Sequence, residues 1–255
     1  MVSFWHRTTE SILGKLDNFD AVCVKDICLG LNYSGLILNN NIMGLCYTPP
    51  DKVPFYERTW IGKLFDNSIE SLVNMFKVSN PIEKMIGLLT INAISQTILK
   101  RDALLDKYIN FTDLIQDYEG STIGMVGFMK PLVNRLSQNN CKILILDQER
   151  SIPFQENAIQ VENLQSIEEV DHLIITGTAM LFNDFQKIID IEISGKKILT
   201  GPSAQIHPDI IFEEGFDGIA SSFVLNPQNS IKILKQAGGY QEIKGFIKKY
   251  VIRKN

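Results

Sequence analysis

Four short, continuously apolar runs in the second half of the chain constrain its fold more than any other feature: IGMV (123–126), KILIL (142–146), HLIIT (172–176) and KILT (197–200). A strand with one wet face alternates apolar and polar residues, whereas a strand covered on both faces is apolar at successive positions, as parallel sheets require. Segments with helical spacing fit between the runs, at 131–138, 181–191, 208–214 and 227–237. From Ser121 onward the chain therefore reads strand, helix, strand, helix, with strands expected at 122–126, 142–147, 172–176, 197–200 and 218–224. That alternation predicts a Rossmann-like, doubly wound parallel sheet. The stretch 148–170, polar and containing Pro153, reads as a long loop ahead of a short helix near 166–170.

The first half is of another kind. An amphipathic helix opens it, with Trp5, Ile12, Leu13 and Leu16 on the apolar side, and strand candidates follow at 21–29, 31–38 and 42–47. Gly30 and the Asn39-Asn40-Asn41 turn break these into an antiparallel meander. Pro49, Pro50, Asp51 and Pro54 make 48–60 a loop, because proline fixes φ and lacks a donor. Helices are expected at 68–76 and 81–100. The second starts on a capping Asn80, with Pro81 in the first helical position and Glu83 near the positive end of the helix dipole. It is apolar nearly all round, so it should be buried. Asn92, Ser95 and Gln96 interrupt it on one side, and buried polar groups need partners, either in neighbouring backbone or across a cleft. The expected class is thus α/β, with a small α+β domain over 1–110 followed by a Rossmann-like domain over 111–255 and a linker within 105–120.

Composition works mainly by exclusion. With 255 residues, 45% of them hydrophobic, the chain can bury an ordinary core. A net charge of -4 offers no basic field for nucleic acid, and Lys248, Lys249, Arg253 and Lys254 read as a solvated terminus. No run approaches the roughly 18 uninterrupted apolar residues of a membrane span, and the N-terminus does not read as a signal peptide. A soluble, cytoplasmic protein with no nucleic-acid or membrane partner is expected. Cys23, Cys28, Cys46 and Cys141 lack CxxC spacing and read as reduced, buried thiols. Apolar helices towards both ends suggest a homodimer.

Ligands of open α/β sheets sit beyond the carboxyl ends of the strands, where strand order reverses. Three of the expected strand ends carry glycine, two with hydroxyl residues: Gly124-Met-Val-Gly127, Thr176-Gly177-Thr178 and Thr200-Gly201-Pro202-Ser203. Glycine admits a ligand to the backbone and hydroxyls donate and accept without charge, which suits carboxylate, phosphate or a polar ring edge. The competing reading is that glycine only turns the chain. The first loop lacks full GxGxxG spacing, so a dinucleotide site is poorly supported. Asp147, ending the second strand, suits either a ribose hydroxyl or a cap or loop contact. His207 reads as a solvent-facing residue before a helix, with ligand or metal contact as the alternative. H-E-x-x-H, G-x-S-x-G and Walker patterns are absent from the sequence, so no reaction type follows and enzyme status stays open. Glu57 or Lys25 could complete a site across domains.

The segments GMVGFMKPLV (124–133), VDHLIITGTAMLFNDF (170–185) and KKILTGPSAQIHPDIIFEEGFDGIA (196–220) resemble a family described as "putative heavy-metal chelation". In that family an enolase-N-terminal-like domain precedes a Rossmann-like domain. The first half agrees through VKDICLGLNYSGLIL, IMGLCYTPP and IGLLTINAIS. The resemblance implies a small polar ligand, such as a metal chelate or metal-related molecule, in an interdomain cleft, with a divalent metal or metal chelate as the associated group. The matching positions are Asn92, Gly127, Thr176, Gly177, Thr178, Asn183, Gly201, Pro202 and Ser203. The alternative is an enzyme acting on a small polar substrate, with a nucleoside-type cofactor.

Overall fold

The computed structural model describes residues 2–16, 21–49, 59–106, 111–114, 118–147, 151–153 and 157–254. Helix α1 (Phe4–Gly14) leads into a meander of β1 (Val24–Cys28), β2 (Tyr33–Leu38) and β3 (Met43–Tyr47), then α2 (Ile69–Asn74) and the long α3 (Pro81–Arg101). After the short α4 (Phe111–Leu114) come β4 (Thr122–Val126), α5 (Lys130–Gln138), β5 (Lys142–Leu146), β6 (Ala158–Val161), β7 (His172–Thr176) and α6 (Phe185–Ile189). The chain closes with β8 (Lys197–Thr200), α7 (Pro208–Glu213), β9 (Gly218–Val224), α8 (Pro227–Leu234), α9 (Tyr240–Ile243) and β10 (Ile247–Arg253).

Two sheets result: an antiparallel one in the order β1-β2-β3, and a seven-stranded one in the order β10-β9-β8-β7-β4-β5-β6. Strands β4 to β9 are parallel, and β10 runs antiparallel to β9. From β4 the sheet grows one way through β5 and β6, and from β7 the other way through β8 and β9. The switch point therefore lies between β4 and β7, the place where such sheets expose a crevice.

Pleating explains why the strands are apolar throughout. Ile123, Met125, Ile143, Ile145, Ile174 and Ile198 face one cluster with Leu132, Val133 and Leu136 of α5. Their neighbours Leu173, Ile175 and Leu199 face the opposite cluster, with Phe185 of α6, Ile210 of α7 and most of α3. Helices thus cover both faces, as a doubly wound sheet requires.

Helix α3 is the axis of the molecule. Asn80 caps it, accepting from the amides of Ile82 and Glu83, and residues on every side are buried. Strand β3 lies so close that a methyl group on Gly44 would overlap the backbone of Leu89 and Ala93. Helix α1 belongs by sequence to the first half but packs across both. The Phe4 amide donates to Gln186 Oε1 (2.8 Å), Trp5 Nε1 to the Met180 carbonyl (2.8 Å), and Arg7 pairs with Glu214.

Several expectations need correction. The 148–170 stretch holds β6 and a 3-10 turn, Leu164–Ile167, where a loop and helix were expected; four residues at a sheet edge bury too little to leave an apolar run. The basic tail is strand β10, whose Tyr250 and Val251 are buried while its lysines line the edge. Residues 177–181 form a 3-10 turn, so the following helix starts only at Phe185. All four cysteines are free, but Cys23 is exposed. Among the described residues, no helix is long and apolar enough to cross a membrane.

Candidate functional site

Strand β3 is an edge, so alternate backbone groups point away from β2 and require other partners. They find them in the loop after β8 and on α3. Gln205 Oε1 accepts from the Leu45 amide (2.6 Å), Asn92 Nδ2 donates to the Leu45 carbonyl (2.8 Å), and Ser203 Oγ accepts from the Tyr47 amide (2.9 Å). Asn92 Nδ2 also donates to the Ser203 carbonyl (3.0 Å). One turn on, Gln96 Nε2 donates to the Gln205 carbonyl (3.0 Å) and Tyr250 Oη (2.8 Å), while Gln205 Nε2 donates to the Ser222 carbonyl (2.6 Å). Asn92 and Ser203 are therefore brought together, and they act as buried glue between the two sheets. Gln205 carries no local sign of this role, which depends on which edge of the meander faces the loop.

The half-buried rim lies beside this seam, across the ends of β4, β7 and β8. Gly127 (φ 83°) and Gly201 (φ 106°) both hold left-handed backbone that favours glycine. Between them stands Thr176: a Cβ on Gly127 would strike its methyl group, and one on Gly201 would sit 3.6 Å from its Oγ1. Gly177 packs directly on the backbone of Ser203 and Ala204. Thr178 Oγ1 lies 3.5 Å from Ser203 Oγ, at the limit of a hydrogen bond, and Pro202 is half-buried. Asp147 Oδ2 accepts from the Phe128 amide (2.8 Å), so the carboxylate braces the loop that follows β4. Glu57 lies outside the described residues, and Lys25 is exposed on β1.

Asn183, the remaining predicted position, is exposed a few residues beyond the Gly177 turn and accepts from Lys84 Nζ (3.1 Å). Lys84 itself escaped the sequence reading, its only sign being a lysine just before the apolar run of α3. It is buried, and its Nζ lies 4.3 Å from the centre of the Trp5 ring. Burial pushes its pKa down to about 8.

His207 was expected to face solvent, but it is 4% exposed and caps α7 by accepting from the Asp209 amide at Nδ1 (3.4 Å). Desolvation pushes its pKa down to about 4, against the pull of nearby Asp209 and Asp102; Lys15 and Arg101 add to the lowering. Unfolded His207 takes up its proton near pH 6.5, the folded one only near pH 4, so stability must fall as pH drops through that window. Protonation also turns the accepting Nδ1 into a donor and ends the cap. Denaturant unfolding at pH 7 and pH 5 should show a loss of about 2 kcal/mol from this group. His207→Asn, which keeps an acceptor for the cap, should remove that part of the difference. An equal pH response in the variant would assign the loss to other groups.

Among the described residues, no group of three or more His, Cys, Asp or Glu could hold a metal ion. Cys46, close to Ser203, is buried and its thiol is pushed up to about 12, so it stays protonated rather than offering a thiolate. Two surface cavities, of about 460 and 530 Å³, open at the opposite end of the sheet, around Asp190, Ile191 and Glu192.

Family models described as "putative heavy-metal chelation" match the chain over residues 110–253 and 15–95. A protein of Methanocaldococcus jannaschii, itself uncharacterised, is 26% identical over 193 residues, which are 73% of this chain and 72% of that protein. The crystal structure of a protein of unknown function from Pyrococcus horikoshii aligns with a TM-score of 0.80 at 21% identity, covering 99% of this chain and 100% of that one. One from Desulfitobacterium hafniense aligns with a TM-score of 0.78 at 21% identity, covering 98% of each chain. At such identities the structural likeness carries the fold alone.

Proposed function

Because the chain belongs to the family described as "putative heavy-metal chelation", we propose that it binds a small polar molecule, a chelator or metal chelate, at the carboxyl ends of β4, β7 and β8. The observation that carries this reading is Thr176, half-buried at the switch point between Gly127 and Gly201, two left-handed glycines that leave backbone approachable on either side. Hydroxyls and peptide groups at this rim suit the oxygen-rich periphery of a chelate. They fit a bare heavy-metal ion poorly, since soft and borderline ions favour thiolate and imidazole. The metal enters this reading as cargo inside its organic ligand.

Calorimetric titration with nickel citrate, with nickel ion alone and with adenosine tests the reading. The chelate should bind, and Thr176→Val and Thr178→Val should each weaken it about two- to tenfold, the worth of one neutral hydrogen bond. Both variants should fold normally. Equal binding by nickel ion alone, or variants that bind the chelate like wild type, would sink the proposal. The second reading, an enzyme with a nucleoside-type cofactor, draws on Asp147 at the end of β5, where dinucleotide folds hold a ribose. Binding of adenosine and not of the chelate would favour it.

A further inference from the structure

Charged groups buried in proteins are normally paired, because an isolated charge loses its hydration. Three basic side chains are buried among the described residues: Lys84, Lys197 and His207. Lys197 donates to the Ile189 carbonyl (2.6 Å) amid the fields of Asp190, Asp217 and Glu192, and His207 lies beside Asp209. Lys84 differs from both. It is 2% exposed, and its described partners are neutral: the Asn183 amide oxygen and the Trp5 ring. The adjacent carboxylate, Glu83, is occupied by Trp60 Nε1 (3.2 Å).

The position of this ammonium is informative. Its partner Asn183 and the Met180 carbonyl, which holds Trp5, both belong to the segment that begins with Gly177 and Thr178. Thr178 lies within the 3-10 turn 177–181 and Asn183 follows two residues after its end, so the two are five residues apart in one short segment. Asn183 is exposed, so its bond to Lys84 leads the buried charge towards the surface on the flank of the rim.

We propose that Lys84 supplies the fixed positive charge of the ligand site, and that the ligand carries a carboxylate or phosphate group which displaces the Asn183 amide from it. The inference rests on the rim reading and narrows it, from a polar ligand to an anionic one long enough to reach from Thr176 to Lys84. An ammonium held over an aromatic face and bonded to a neutral amide is a stronger partner for an oxyanion than a hydrated surface lysine. Burial lowers its pKa to about 8, and a bound anion would raise it again.

Thermal unfolding of the full chain in citrate, in inorganic phosphate and in sodium chloride of equal ionic strength tests this directly. Citrate or phosphate should raise the melting temperature beyond the chloride control, and which of them does so identifies the oxyanion. Lys84→Met should weaken that binding roughly ten- to hundredfold, as loss of a charge-assisted bond predicts. Asn183→Ala should bind the anion at least as well as wild type. Should Lys84→Met fail to fold, reductive methylation of the wild-type protein gives the same answer, since the anion should slow modification of Lys84. Equal stabilisation of wild type and Lys84→Met, undiminished methylation, or no response to either anion would overturn the proposal. Thr178→Val separates the two ideas: if it leaves anion binding intact while Lys84→Met abolishes it, the charge assignment stands and the rim assignment falls.

Discussion

Gly177→Ala is expected to destabilise the protein by about 3 kcal/mol or more, the upper range for a group forced into a packed interior. The added methyl group would lie 2.6 Å from the Ser203 carbonyl carbon and closer still to the Ala204 amide nitrogen. Neither is the end of a flexible side chain. Both belong to the backbone of the loop after β8, which Asn92 and Gln205 pin to β3, so relief requires parting of two strand-end loops. Denaturant melts should show a lower midpoint with an unchanged slope. Gly201→Ala has more room, since its new atom would sit 3.6 Å from Thr176 Oγ1, and its cost would come from the positive φ alone. A Gly177→Ala protein as stable as wild type would mean that the close approach of these loops does not exist.

Gln205→Leu should cost on the order of 4 kcal/mol. The side chain is fully buried and satisfies two backbone groups that no strand can reach, the Leu45 amide and the Ser222 carbonyl. Each orphaned group costs roughly 1–3 kcal/mol, and leucine fills the space without restoring either bond. Gln205→Glu gives a control of similar shape: its carboxylate can still accept from Leu45 but cannot donate to Ser222, so it should also be strongly destabilised. Hydrogen exchange of the Leu45 amide offers a local readout, with protection lost in Gln205→Leu. Wild-type melting of the leucine variant would show that β3 is not held through this residue.

How much of this could be read in advance follows from the range of the forces involved. Strands β4, β5, β7 and β8 were legible because covering on both faces writes itself into consecutive residues, and the start of α3 because Asn80, Pro81 and Glu83 form a local signal. Strands β6 and β10 were not, because edge strands are short or charged and owe their existence to a neighbour. At the site, the glycines at 127 and 201 were legible as strand-end punctuation, and their positive φ agrees with that reading. That Asn92 needs partners was legible, but what its meeting with Ser203 accomplishes was not. Both answer the unpaired edge of β3, a requirement set by residues 47 and 111 positions from Asn92. Lys84 was hidden for a related reason: its environment is built by Trp5 and Asn183, about 80 and 99 positions away in opposite directions along the chain.

The placement of α1 also fixes an order of events during biosynthesis. This helix precedes the other described elements, yet its anchors on Gln186, Met180 and Glu214 lie 182, 175 and 207 positions further along. At a synthesis rate of roughly 5–20 residues per second, these three anchors follow the helix by on the order of ten seconds or longer. Contacts that span some two hundred residues are slow to close. The apolar side can meet α2 and α3 early, as Phe4 meets Phe76, so what stays open late in translation is the contact of α1 with the parallel-sheet half, and that docking is where a chaperone would have something to do.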